Sequence, residues 1–329
     1  MATVGSTVIT LADWAKRMDP NGRPARIIEM LSQKNEILLD MRFKMGNLPT
    51  GERTTQRTGL PTVYWRLLNQ GVPTSKSRTA QIDAHCGIME ARSQVDVDLA
   101  SLAEDVGLFR LNEAQPFIEA MNIEAASTLF YGTAASPEEF IGLNAHYSAI
   151  SGANNAQNII DAGGTGSDNS SMWLIVWGEQ TIHGIFPKGS EAGLKHVDMG
   201  IQDVKDSDGN EFRAYKDWFQ WKIGVVVKDW RFAVRICNID ISELIAESAS
   251  AADIINCMIR ANHRIPSLQA GSAAWYCNRT IAQMLDIQAN KKTNVYLQPG
   301  MEEGGPKVRF RGIPIRTCDA LTEAEARVT

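Results

Sequence analysis

The chain's five histidines are the first residues to test for chemistry. His85, His146, His183, His196 and His263 lie far apart, with no HExxH and no HxH spacing to converge on a metal. His85-Cys86 is the one adjacent His/Cys pair, but neighbours on a strand point to opposite faces, so it reads as a packed pair. DAGGTGSDNSS at 161–171 resembles a phosphate loop without its Lys-Ser/Thr, and a strand rather than a helix is expected after it, so a plain loop is expected. Asp206, Asp208 and Asn210 open like a calcium loop, yet Glu211 stands where glycine is needed and Asp217 where a bidentate glutamate belongs. DSDGN reads instead as a hairpin turn. There is no GxSxG elbow, although a dispersed Ser/Cys–His–Asp hydrolase stays open as a rival reading. The expectation is therefore no catalytic residue, no metal and no cofactor.

What remains is charge pairing. Between Gly46 and Ala80, Arg53, Arg57, Arg66, Lys76 and Arg78 stand against Glu52 alone, a local balance of 5 − 1 = +4 in a chain of net charge −5. Three readings compete: contact with carboxylates of another subunit, a solvated arm, or nucleic-acid binding with Tyr64 and Trp65 as stacking partners. A pI near 5.6 and the lack of a second basic patch favour the subunit contact. The candidate interface is Arg53, Arg57, Tyr64, Trp65, Arg66 and Leu67.

The elements that must carry these residues follow from pattern. Gly46, Pro49, Gly51, Gly59 and Pro61 punctuate a β-rich stretch, which predicts a long open hairpin returning through Ala80 to Val97. An isolated two-stranded arm is marginal in water and cannot bury Trp65, Leu67 and Leu68 by itself, so another copy of the chain is expected to cover it. Upstream, Leu11–Met18 and Ala25–Lys34 read as short helices of an N-terminal arm. Asn112 with Gln115 predicts the cap of a helix over 112–131, with Phe117, Ile118, Met121, Ala125 and Leu129 as its apolar stripe. Residues 133–170 read mostly as loop, Trp173–Trp177 as a buried strand, and 196–239 as an antiparallel meander with one buried face. Helices are expected over Ser242–Ser248, Ser250–Arg264 and Arg279–Gln288, then strands over Lys307–Cys318.

An apolar content of 44% over 329 residues supports a large core, in two subdomains. Five cysteines without a CxxC pair read as small buried hydrophobes of a reducing compartment. No signal peptide is evident, and the apolar run Met172–Trp177 is too short to span a bilayer, so no membrane partner is expected. Both chain ends are expected to be tied down by neighbouring subunits, and a start at Met1 predicts an N-terminus that escapes proteolytic maturation.

Several stretches resemble one family. GNLPTGERTTQRTGLPTVYWRLLNQG (46–71), FIEAMNIEAASTLFYG (117–132), NIIDAGGTGSDNSSMWLIVWG (158–178) and HGIFPKGSEAGL (183–194) are similar to major capsid proteins of short-tailed and related bacteriophages. AWYCNRTIAQMLDI followed by VRFRGIPIRTCDAL is similar to a pattern common across tailed-phage capsid proteins. The resemblance covers most of the chain. It implies an α+β fold, the Hong Kong phage capsid fold, with N-terminal arm 1–45 and extended loop 46–97. Peripheral domain 98–145 would hold a spine helix, 146–195 part of the apical domain, 196–240 the meander, and 241–329 the rest of the apical domain with a return strand. It also implies hexamers and pentamers forming an icosahedral shell around double-stranded DNA, which is contacted non-specifically. Decoration or cement, scaffolding and portal proteins are the implied partners, and the virion, assembled in the bacterial cytoplasm, the implied location. No N-terminal scaffolding segment for cleavage and no basis for a Lys–Asn cross-link are seen. An encapsulin-type nanocompartment shell, which shares the fold, is the alternative.

Overall fold

Asn169–Trp177 (NSSMWLIVW) is buried at every position, and the structure is organised around it. In the computed structural model, residues 33–329 are described except 104, 206–207, 249, 292–296 and 303–304. In chain order the elements are α1 (Ile37–Asp40), β1 (Phe43–Met45), β2 (Gly51–Gly59), β3 (Arg78–His85), β4 (Gly87–Asp96), α2 (Val97–Ser101), α3 (Val106–Tyr131) and α4 (Leu143–His146). Then come β5 (Ile159–Asp161), β6 (Asn169–Trp177), β7 (Ile182–Phe186), β8 (Leu194–Lys205), β9 (Glu211–Val227), β10 (Ala233–Asp240), α5 (Ile241–Ile245) and α6 (Ile254–Asn262). The chain finishes with β11 (Ser272–Cys277), α7 (Arg279–Lys291), β12 (Leu297–Glu302), β13 (Gly305–Phe310) and β14 (Ile313–Thr317).

Alternate residues of β6 point into different cores. Trp173, Ile175 and Trp177 join Leu129, Phe130, Tyr147 and Tyr276 on one face. Met172, Leu174 and Val176 join Val234, Ile236, Met258 and Leu285 on the other, under α6 and α7. A strand buried on both faces loses the polar half of its alternation, which is why this segment reads as a continuous apolar run. Each such side chain withdrawn from water is worth about 1.5–3 kcal/mol.

β6 pairs antiparallel with both β10 and β11, and the sheet continues through β14 and β13 on one side. On the other side it runs through β7 to β9. The outer half of β9 lies between β4 and β8 as a long three-stranded ribbon. The meander expectation holds for β8–β9 but fails at the next turn: β10 does not pair with β9 but crosses to lie between β5 and β6. It is buried at all eight positions, so it has no solvent face. The strict alternation in Phe232, Val234 and Ile236 marks only one of its two packed sides.

Against the ribbon lies α3, 26 residues and about 39 Å long. It starts six residues before the expected Asn112, because Asp105 Oδ1 accepts from the backbone of Gly107 and Leu108 at 2.8 and 3.1 Å. Pro116 therefore sits inside the helix rather than in its first turn. Of the expected stripe, Met121, Ala125 and Leu129 are buried, Phe117 is half-buried and stacks on Phe219, and Ile118 is exposed. Asp105→Ala is expected to lower stability by about 1 kcal/mol through loss of that cap, read as a lower urea midpoint with unchanged slope.

Elsewhere α5 runs Ile241–Ile245 and α6 begins only at Ile254, capped by Asp253 rather than by a Ser250 pair. Asn278 caps α7, which runs on to Lys291. Residues 133–170 are less loop-like than expected, holding α4, a short 3-10 turn and β5. The glycine-rich loop is pinned, with Gly164 N donating to Asn238 O at 2.9 Å. The helices expected at Leu11–Met18 and over most of Ala25–Lys34 lie outside the described residues.

The C-terminal segment is held within its own chain. Asn238 bonds Val328 through both ends of its amide, at 2.9 and 2.8 Å, and Ile150 N donates to Thr329 O.

Candidate assembly interface

β2 and β3 form a two-stranded sheet of their own, in register from Gly51↔His85 to Arg57↔Thr79. β4 then leaves to pair with β9. Beyond a register shift between Arg57 and Gly59, residues 60–77 carry no regular strand. The Pro61 and Pro73 rings cannot donate to a ladder there. The tip is tied by little: Ser75 Oγ donates to Thr62 O at 2.8 Å, and Gln70 N to Leu67 O at 3.3 Å.

Of the six predicted interface residues, Tyr64, Trp65, Arg66 and Leu67 come together at this tip, while Arg53 and Arg57 lie behind them on β2. Trp65 is 104% exposed, and Leu60, Val63, Leu67 and Leu68 between 69% and 89%. Arg53 finds its carboxylate at home: its Nε and Nη2 each donate to Asp83 on β3 at 2.7 Å. The pairing expected from a neighbouring subunit is therefore met within the hairpin for this arginine. That bond holds the Asp83 carboxyl below its ordinary value. Arg57 and Arg66 have no ion pair among the described residues.

The hairpin root is as dry as its tip is wet. Glu52 is buried between Lys228 Nζ (2.8 Å) and His183 Nε2 (3.2 Å). Gln56 donates its side-chain amide to the carbonyls of Val227 and Lys228 at 3.1 and 2.7 Å. Gly51 has φ +155°, and a Cβ there would stand 1.9 Å from Ala84 O, so only glycine fits this crossing.

A second exposed surface lies on α3. Leu108, Leu111 and Ile118 follow one another at helical spacing and are 49%, 63% and 41% exposed. Beside them, among the described residues, β8 pairs only with β9, and its other edge carries exposed Met199 and Ile201. Arg110 ties this helix face to the ribbon, reaching Asp198 at 2.7 Å and Asp217 at 3.0 Å.

Sequence reasoning missed a buried cluster beside the central strand β6. Arg235 on β10 meets Glu325 Oε2 at 2.8 Å, both side chains 4% exposed. Arg235 also donates to Ser171 Oγ and Tyr147 O, lies over the Trp173 ring, and Tyr131 OH donates to Glu325 Oε1 at 2.6 Å. Burial and the Glu325 charge push the Tyr131 hydroxyl far above its ordinary value, so it stays a donor. A lone arginine inside the apolar run FAVRIC was the available signal.

Nothing here is arranged for turnover. Among the described residues no three His, Cys, Asp or Glu converge on a metal, and no helix is long and apolar enough to cross a membrane. His85 ends β3 and Cys86 falls in the break before β4, so they are not neighbours on one strand. Cys237, Cys277 and Cys318 are buried with their thiols pushed up to about 12, and Cys257 is buried too. Cys86 is only half-buried, its thiol pushed up to about 11 by burial and then by Glu52.

A two-core sheet body, a long helix, and an arm whose apolar tip is left in water define a shell-building subunit. Residues 19–329 match the family described as Major capsid protein GP7, and the chain belongs to that family. It is similar to a chain in the structure of bacteriophage Epsilon15, with 33% identity and a TM-score of 0.79 over 100% of this chain and 99% of that one. A chain of the bacteriophage JBD30 capsid matches at 8% identity and TM-score 0.47, covering 89% of this chain and 93% of that one. One from the holo-SrpI encapsulin complex of Synechococcus elongatus PCC 7942 matches at 10% and 0.39, covering 72% and 92%. No curated protein matches the chain. The protein is a phage capsid shell protein with the Hong Kong phage capsid fold, structural rather than enzymatic, and its place is the virion capsid. Both the hydrolase and the nanocompartment alternatives yield to the family match.

Proposed function

We propose that copies of this protein assemble into hexamers and pentamers through the hairpin, whose tip lies over α3 and the β8 edge of the adjacent subunit. One observation carries this reading: Trp65 is fully exposed on an arm with no core of its own. Tyr64, Trp65 and Leu67 pack against an apolar stripe such as Leu108, Leu111 and Ile118, while Arg57 and Arg66 pair with carboxylates of the neighbour. Arg53 stiffens the arm through Asp83 instead. Residues 1–45 act as an N-terminal arm, 46–97 as the extended loop, and the remainder divides between peripheral and apical domains. The shell encloses double-stranded DNA by non-specific contact and takes decoration, scaffolding and portal proteins as partners. It self-assembles in the bacterial cytoplasm as a late product.

Purified chain concentrated in low salt is expected to give closed particles by negative-stain electron microscopy, and a monodisperse monomer under every condition would overturn the proposal. Raising ionic strength from 0.1 to 1 M shortens the screening length from about 10 to 3 Å, so the yield of particles is expected to fall. Salt-indifferent yield would mean docking by apolar contact alone.

A further inference from the structure

We propose that the hairpin root is a pH-gated hinge: Glu52, held between His183 and Lys228, fixes the arm to the sheet at neutral pH and lets it swing in acid. The inference concerns the arm's attachment to its own body, so it stands whether or not the tip docks in the manner proposed above.

Past Glu52, the arm is fastened to the body by few polar side chains. Among the described residues, Glu52 reaches His183 on β7 and Lys228 beyond β9, and Gln56 reaches the backbone at 227–228. Asn47, in a lead-in that Gly46 and Leu48 hold to Phe186 and Lys188, also bonds the Arg53 backbone. Of these fasteners Glu52 is the one whose bonds depend on protonation, so it is the part of the root that pH can loosen.

His183 is 1% exposed, and its two nitrogens differ. Nε2 lies 3.2 Å from Glu52 Oε2 and takes the N–H of the neutral ring. Nδ1 is buried with no hydrogen-bond partner among the described residues. A proton arriving there would create a buried N–H with no acceptor and a second cation beside Lys228. The other charged group facing the ring is Lys44 on β1, itself paired with Glu179. Cys86, close to Glu52, stays neutral. Glu52 is therefore the carboxylate shared by the neutral His183 ring and the Lys228 ammonium.

The ionisation equilibria agree with that geometry. Burial and then the Lys228 charge hold the His183 imidazole below its ordinary 6.5, against the pull of Glu52. A base that protonates less readily folded than unfolded leaves the root at full strength above 6.5 and weakens it as pH falls below that value. Burial pushes the Glu52 carboxyl up, but the bonds and charges of Lys228 and His183 outweigh it and leave it below 4.5. Its share is present above 4.5 and is lost as pH falls through its folded value. Both groups loosen the root in acid, the histidine first.

The test is hydrogen exchange of the full-length unassembled chain at pH 7.5 and 5.5, corrected for intrinsic exchange rates. Protection at the root amides of Gly51 and Cys86, which donate to Leu48 O and Thr50 O, is expected to fall by up to about tenfold at pH 5.5, while that of β6 stays constant. His183→Gln keeps an N–H for Glu52 without a titrating ring, and its arm should show no such fall. Unchanged protection in the wild type, or an equal fall in His183→Gln, overturns the hinge. Should that variant not fold, the wild type decides: protection at the root must fall along the His183 titration followed by NMR, and a fall that does not track that titration overturns the hinge.

Discussion

Trp65→Ala combined with Arg57→Ala is expected to yield a soluble, folded subunit that forms no shells. Both side chains are exposed and Arg57 has no ion pair among the described residues, so their loss should move the unfolding midpoint by no more than surface substitutions do, within about 0.5 kcal/mol. Their value lies between subunits. Truncating an aromatic anchor at an interface costs about 2–4 kcal/mol, and each copy in a closed shell both gives and receives the contact. A loss that is modest for one pair becomes prohibitive when every junction carries it at once. Circular dichroism with electron microscopy separates the outcomes: native spectra with no particles support the assignment, and intact particles refute it.

Arg235→Met alone is expected to destabilise the subunit by about 3–5 kcal/mol, because Glu325 would stay buried without its cation. Glu325→Leu alone should cost a similar amount by stranding the guanidinium. The double variant removes both charges from the interior, so its loss should be well below the sum of the singles. Urea unfolding of the unassembled chain reads all three. Strict additivity would show that the two groups act separately, contrary to their 2.8 Å contact.

Local pattern revealed the arm and the central strand because both are extremes. The hairpin's prolines, glycines and basic residues left it no interior, and β6 is buried on both faces, so neither reading depended on distant residues. The start of α3 was misplaced because Asn112 reads locally as a cap, and only the fold shows that Asp105, further upstream, faces the first free N–H groups. The failed meander turn has a related origin. A short link after Val227 suggests a hairpin, but β10 is more deeply buried beside β6 than it would be at the ribbon's edge. Of the candidate interface, the tip was legible as a run of apolar residues without a home, whereas the Arg53 ion pair was not, because Asp83 lies 30 positions away on the return strand. The Arg235–Glu325 pair, 90 positions apart, had no local signature beyond an arginine in an apolar run.

The wiring of the central sheet sets an order in time. β6 is flanked by β10 and β11, whose residues Ala233–Asp240 and Ser272–Cys277 follow it by scores of positions, and β11 needs β14 beside it. Such long-range closure slows folding, and on the ribosome it must wait until residue 317 has emerged. The arm is synthesised early, but His183 and Lys228, which fix its root, follow about a hundred positions or more later. A nascent chain thus displays its sticky tip while its sheet is unfinished, and crowded polysomes are where this subunit runs its greatest risk of premature aggregation.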